Sequence, residues 1–243
     1  MLKDYLGRSR APRYSILFAL PLLVLYEGLS AALTGSAVEG VRNGADVLLK
    51  TLFVALGGPH GLVAFGVLLA GGGALLVWRD LRKHGERLRL GVFGLMLVES
   101  AAYAAVFGFV VGWLTALVLQ GPRGLSVGGA AALDLRTQLV VSLGAGIYEE
   151  LLFRVILVGG VMWVVHRVLG LGRFGAALVA VVFSALVFSA FHYVGALGDT
   201  FTLASFTFRA IAGVVFSVLY VSRGFGITAW THALYDLGLA LLG

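Results

Sequence analysis

Residues 91–119 read GVFGLMLVESAAYAAVFGFVVGWLTALVL, an apolar run with a single charged side chain, Glu99. A helix needs about 20 apolar residues to cross a bilayer core about 30 Å thick. This run exceeds that length, so as a span it tilts or protrudes. Six comparable runs flank it, at 14–34, 61–78, 137–166, 174–194, 203–221 and 225–242. The composition agrees, with 60% hydrophobic and only 12% charged residues in a chain of 243. A water-soluble domain of this length needs more charge to cover its surface. The 35 glycines suit helices packed closely in lipid. The expected fold is all-α, a polytopic transmembrane helix bundle of about seven spans forming a single domain over 1–243. The stretch 40–57 carries Arg42, Asp46 and Lys50 among apolar residues at helical spacing and is expected as an amphipathic interfacial helix.

Basic residues precede the first run, as they do in a signal peptide. Tyr14 to Leu33 is nevertheless long enough to span and contains Pro21 and Glu27, so it reads as a retained first helix. The net charge of +6 does not mark a nucleic-acid partner, because the basic residues sit in short connectors between apolar runs. With the N-terminus in the cytoplasm, twelve Lys and Arg fall inside, five of them between Arg79 and Arg89. Four, namely Arg42, Lys50, Arg123 and Arg136, fall outside, while Arg154 and Arg209 lie within spans. Seven spans and the positive-inside rule therefore agree, and the expected location is a cell membrane, the inner membrane of a bacterium. The absence of cysteine excludes disulfides and thiolate metal sites.

An ionisable group at mid-span costs at least about 2.5–3.5 kcal/mol, so such groups point to function. Six of them fall in three motifs between Glu149 and Asp236. In Glu149-Glu150-Leu151-Leu152-Phe153-Arg154, helical period puts Glu150 and Arg154 on one face, where they neutralise each other. Glu149 turns about 100° away and is left free to act. The competing reading is a packing pair plus a helix-end glutamate. Phe188 to His192 lies near the end of the fifth span, where a lone histidine is more often a packed or interfacial residue than a catalyst. His232 and Asp236 share a face of the last span, either as a working pair or as core groups that satisfy each other. One free carboxylate and two imidazoles on three helices allow two chemistries. A Glu/His pair can deprotonate water, or Glu149, His192 and His232 can bind zinc with one position open. The helical His-Glu-x-x-His pattern that favours zinc is absent.

Glu-Glu-x-x-x-Arg, Phe-x-x-x-His and His-x-x-x-Asp, in this order, resemble the CAAX protease and bacteriocin-processing family of intramembrane endopeptidases. The resemblance covers roughly 137–241, expected as the catalytic core, and includes a glycine-containing penultimate helix from Phe208 through Gly213 to Tyr220. It implies an endopeptidase that cuts a membrane-associated protein or peptide, with lipid as its surroundings and no nucleic acid. It implies Glu149 as general base assisted by His192, with His232 and residue 236 stabilising the oxyanion and Glu150 and Arg154 holding the helix. The family commonly has Asn at position 236. Asp236 donates there only if protonated, and otherwise accepts from His232 and fixes its tautomer. No cofactor is expected, and zinc is the alternative. A non-catalytic scaffold on the same fold is disfavoured because every catalytic position is filled. A proton-coupled transporter is disfavoured because the polar set is concentrated in the C-terminal half. Glu27 and Glu99 have two readings, as lining of the substrate cavity or as partners of Arg209.

Overall fold

The computed structural model describes residues 2–33, 42–85, 88–120, 133–195 and 198–242. Arg87 and Arg123, used in the charge count above, lie outside these residues. Within them the chain is helical throughout. The elements are α1 (Leu2–Ser9), α2 (Pro12–Ala32), α3 (Gly44–Gly57), α4 (Gly61–His84), α5 (Leu90–Val118), α6 (Leu135–Gly144), α7 (Gly159–Arg167), α8 (Arg173–Phe191), α9 (Leu203–Arg223) and α10 (Phe225–Leu242). Local chemistry sets their ends. Pro12 opens α2, where its missing N–H is not needed. Asp134 caps α6 by accepting from the backbone N–H groups of Arg136 and Thr137. Gly224, at φ 86°, allows α9 to turn directly into α10.

Every expected span falls on helix. Five helical runs have the length and apolarity to cross a membrane: Pro12–Ala32, Gly44–His84, Leu90–Val118, Arg173–Phe191 and Leu203–Arg223. The two other expected spans are the rod 135–167 and α10, which carry Glu149, Glu150, Arg154, His232 and Asp236. Large apolar side chains face outward along the spans, including Phe109 at 78% and Leu68 at 61% exposure. Continuous exposure of this kind is stable only against lipid.

The rod 135–167 departs from the α-helix expected there. Between α6 and α7 it widens into π turns over Ala145–Glu149 and Leu151–Val158. Such i→i+5 turns are rare and concentrate at functional sites. The second departure concerns α3. Its Arg42, Asp46 and Lys50 stripe turns inward onto α2, with Asp46 fully buried and bonded to Arg42 at 2.8 Å and Lys50 at 2.7 Å. Its outer face presents Leu48, Leu52 and Leu56. In a helix on water the polar stripe faces out; here it faces the protein.

Helix α10 lies at the centre, against α2, α5, α6, α9 and both π stretches. Its Ala229 and Ala233 join Leu22, Tyr26, Leu49, Ile147 and Tyr148 in one core cluster, and its Ile227 joins Tyr14, Phe18 and Met96 in another. A third cluster stacks Phe107 on Phe216 at 4.2 Å between α5 and α9. Small residues set the approach of α8 to α9, since a Cβ on Gly213 would lie 2.9 Å from Ala185 Cα. We therefore expect Gly213→Val to cost about 1–3 kcal/mol and to lower the thermal midpoint in detergent. Gly112→Val, where a Cβ meets nothing within 4 Å, should leave that midpoint unchanged.

Candidate active site

Glu149 ends the first π stretch and Glu150 follows it, and both are buried, at 7% and 0% exposure. On a regular α-helix two consecutive side chains diverge by about 100°. The wider turn brings both into the bundle interior. The approach of α10 depends on Gly146, where a Cβ would lie 2.6 Å from both the Ala229 carbonyl oxygen and the Ala233 methyl.

Arg154 is fully buried, with its Nε 3.2 Å from Glu150 Oε2, as the four-residue spacing requires. Its guanidinium lies over the rings of Phe188 at 4.5 Å and Phe216 at 5.3 Å, so aromatic faces complete the cation's surroundings. Glu150 has a second partner that the sequence did not reveal. Its Oε1 accepts from His232 Nδ1 at 2.7 Å. His232 Nε2 in turn lies 3.5 Å from Asp236 Oδ2. The chain thus runs Arg154–Glu150–His232–Asp236. Glu150 thus meets His232 at Nδ1 and Asp236 meets it at Nε2, where the sequence left two roles open for Asp236, as a protonated donor or as the acceptor that fixes the tautomer. The imidazole stacks on Phe216 at 4.3 Å.

Glu149 is held separately. Its Oε1 accepts from the Asn43 side-chain amide at 2.8 Å. Its Oε2 is buried, accepts no hydrogen bond from the described residues and lies 4.0 Å from His192 Nε2. His192 sits at the C-terminal end of α8, and its Nδ1 is 2.8 Å from the Phe188 carbonyl oxygen. A carbonyl only accepts, so Nδ1 carries a proton, and in the neutral imidazole the Nε2 lone pair faces Glu149. In that state two acceptors face each other across 4.0 Å. The Phe188 ring touches both imidazoles, with centroids 4.8 Å from His192 and 6.2 Å from His232. The histidines thus meet in one aromatic-walled centre, although simple counting along the spans puts them at different depths.

The remaining intramembrane charges are structural. Arg209 pairs with Asp199 and hydrogen-bonds Tyr193 at 3.1 Å and Ser205 at 2.6 Å, so it is not the partner of Glu27 or Glu99. Asp199 also donates its backbone N–H to the His192 carbonyl at 2.9 Å, which ties down the turn after His192. Glu99 binds Arg223 at 2.6 and 2.8 Å and accepts from Tyr5. Glu27 accepts from Tyr148 at 2.6 Å, Lys50 at 3.0 Å and Arg42 at 3.1 Å. Asn43 is the site residue that sequence reasoning missed. An Asn ahead of a helix reads as a cap, and nothing in its neighbourhood signals a partner 106 positions away.

Among the described residues, no three His, Cys, Asp or Glu side chains are grouped closely enough to hold a metal ion. Glu149 Oε1 meets Asn43, and the Nδ1 atoms of the two histidines meet a carbonyl and a carboxylate, which orients both imidazoles.

A lipid-facing helical bundle around a buried carboxylate–imidazole centre defines the class as a multi-pass helical membrane protein. Residues 132–238 match the family described as type II CAAX prenyl endopeptidase Rce1-like. This is a protease family, the one that the three motifs resemble, and the match spans all three. No curated protein and no solved structure matches the chain.

Stability should separate the two glutamates. Arg154→Ala leaves Glu150 uncompensated and is expected to cost about 3–5 kcal/mol, measured as folded yield and denaturant midpoint in detergent. Glu149→Gln keeps an oxygen for Asn43 and should cost less than about 1.5 kcal/mol.

Proposed function

We propose that this protein is an intramembrane endopeptidase that hydrolyses a peptide bond of a membrane-associated protein or peptide with water activated between Glu149 and His192. The observation that carries the reading is the pair of opposed acceptors, Glu149 Oε2 and His192 Nε2, 4.0 Å apart. Two acceptors at that separation suit a water that donates one O–H to each and keeps a lone pair for the substrate carbonyl.

In this mechanism the water oxygen bonds to the scissile carbonyl carbon as one of its protons passes to Glu149 Oε2. The carbonyl π pair moves onto oxygen. The proton held between His232 Nε2 and Asp236 Oδ2, 3.5 Å apart, is the donor to that oxyanion, whichever of the two atoms carries it. Glu150, anchored by Arg154, keeps the imidazole in place from the other side. Collapse breaks the C–N bond, and the leaving amine takes the proton from Glu149. The second proton of the water passes to His192 Nε2, leaving a carboxylate product. Position 236 therefore works as part of a His–Asp pair where the family commonly uses an amide. In this reading the water is activated without a metal.

The accompanying topology has seven spans, with the rod 135–167 and α10 as the two polar ones and the N-terminus on the cytoplasmic side of a bacterial inner membrane. The proposed substrates are membrane-anchored proteins or leader peptides. A comparison of membrane-protein termini between wild-type cells and a Glu149→Ala strain would identify them.

Glu149→Gln is expected to lower the cleavage rate by at least about a hundredfold, and His192→Ala to lower it as well, with both proteins inserted and folded. Full activity in either variant would falsify the assignment. Chelators should leave the wild-type rate unchanged in purified protein; loss on chelation and recovery with added zinc would replace this mechanism by a metal-dependent one.

A further inference from the structure

The part of the chain before residue 132 lies outside the family match, yet it sends a side chain into the centre. Asn43 is 2% exposed, at the entry of α3. Its polar groups are all committed. The backbone N–H donates to Tyr26 Oη at 3.2 Å, and the carbonyl accepts from the Val47 N–H at 3.1 Å. The side-chain Oδ1 accepts from the Ala45 N–H at 2.9 Å. A backbone N–H is only a donor, so the amide cannot be flipped, and its NH2 group is the one that faces Glu149 Oε1 at 2.8 Å. Tyr26 is itself pinned, donating to the buried Asp46 at 2.8 Å. Helix α6 makes room for this arrangement at Gly144, where a Cβ would lie 2.5 Å from Asn43 Cβ and 2.6 Å from Tyr26 Cε2.

We propose that Asn43 is a positioning residue for the hydrolysis, holding Glu149 by Oε1 so that Oε2 is the oxygen turned to His192 and the carboxylate stays ionised. This rests on the peptidase reading above. A carboxylate buried without a donor takes up a proton in preference to bearing an unsolvated charge, and a protonated Glu149 is no base. The amide of Asn43 is the direct hydrogen-bond donor to Glu149 among the described residues. The α2–α3 unit therefore supplies part of the catalytic centre, and α3 acts as a bracket whose polar stripe is anchored on Glu27 through Arg42 and Lys50.

The competing role for Asn43 is that of helix cap alone, and two substitutions separate the roles. Ser and Asp cap helices as well as Asn does, so Asn43→Ser and Asn43→Asp keep an acceptor for the Ala45 N–H. The Ser hydroxyl ends one bond short of the amide nitrogen, and the Asp side chain sets a carboxylate against Glu149. In purified full-length protein Asn43→Ser should stay inserted and folded, with a thermal midpoint lowered by no more than the loss of one buried hydrogen bond, while Asn43→Asp, which sets two carboxylates side by side, should lower it further. Asn43→Ser is expected to lower kcat by about ten- to a hundredfold, the range for losing a partner behind a reacting group, with KM little changed. Asn43→Asp should be slower still.

A second measurement needs no turnover. Dicyclohexylcarbodiimide modifies protonated carboxyl groups in apolar surroundings, and peptide mass spectrometry reads its adduct on Glu149. Labelling should rise several-fold in Asn43→Ser over wild type at the same pH, with Glu149→Gln as the blank. Wild-type labelling in Asn43→Ser overturns the proposal, as does a wild-type cleavage rate, leaving Asn43 a cap. If labelling rises but the wild-type protein cleaves no membrane peptide, the hold of Asn43 on Glu149 stands and the peptidase reading fails.

Discussion

A guanidinium buried in a hydrocarbon layer has to find its counter-charge inside the protein, and Arg154 finds it on Glu150, one turn back on the same rod. Neither charge is solvated, so each is tolerable only while the other is present. Three helices converge on this pair. Helix α8 contributes Phe188 and α9 contributes Phe216 to the cation's faces, and α10 contributes His232 to the second carboxylate oxygen. The ion pair thus sets where α8, α9 and α10 stand around the rod. It also occupies one of two adjacent carboxylates and leaves Glu149 outside the pair.

The rest of the bundle follows from the weakness of the hydrophobic effect between helices already in lipid. Association there relies on close packing and polar pairing. Close packing is visible where glycine lets α10 onto the rod at Gly146 and α9 onto α8 at Gly213. Polar pairing recurs away from the centre, with Arg223 joining Glu99 across α9 and α5 and Arg13 reaching Asp80 across α2 and α4. These outer pairs satisfy their own charges and leave the centre to the three motifs and Asn43.

The proposed chemistry draws on the same low dielectric that makes the charges costly. In that mechanism a water donating to Glu149 and His192 in aromatic surroundings has few competing partners, so its lone pair is free for a carbonyl brought alongside. A proton held between His232 and Asp236 gains strength as a donor where water cannot screen it. The π turns contribute by widening the rod where both glutamates must face inward.

Composition and run lengths alone determined that this chain lives in a membrane as helices, because the cost of exposing backbone and charge to lipid leaves no other solution. The Glu150–Arg154 pair was legible for the same reason, being a local consequence of helical period. The three motifs, through family resemblance, pointed to the protease family that residues 132–238 match. Tertiary structure decided which oxygen or nitrogen meets which. It gave His232 to Glu150 as well as Asp236, moved Arg209 to Asp199, turned the stripe of α3 inward and delivered Asn43 to Glu149. The new pairings join positions 10 to 106 residues apart, and no periodicity in a linear chain encodes a meeting between helices that packing alone brings together.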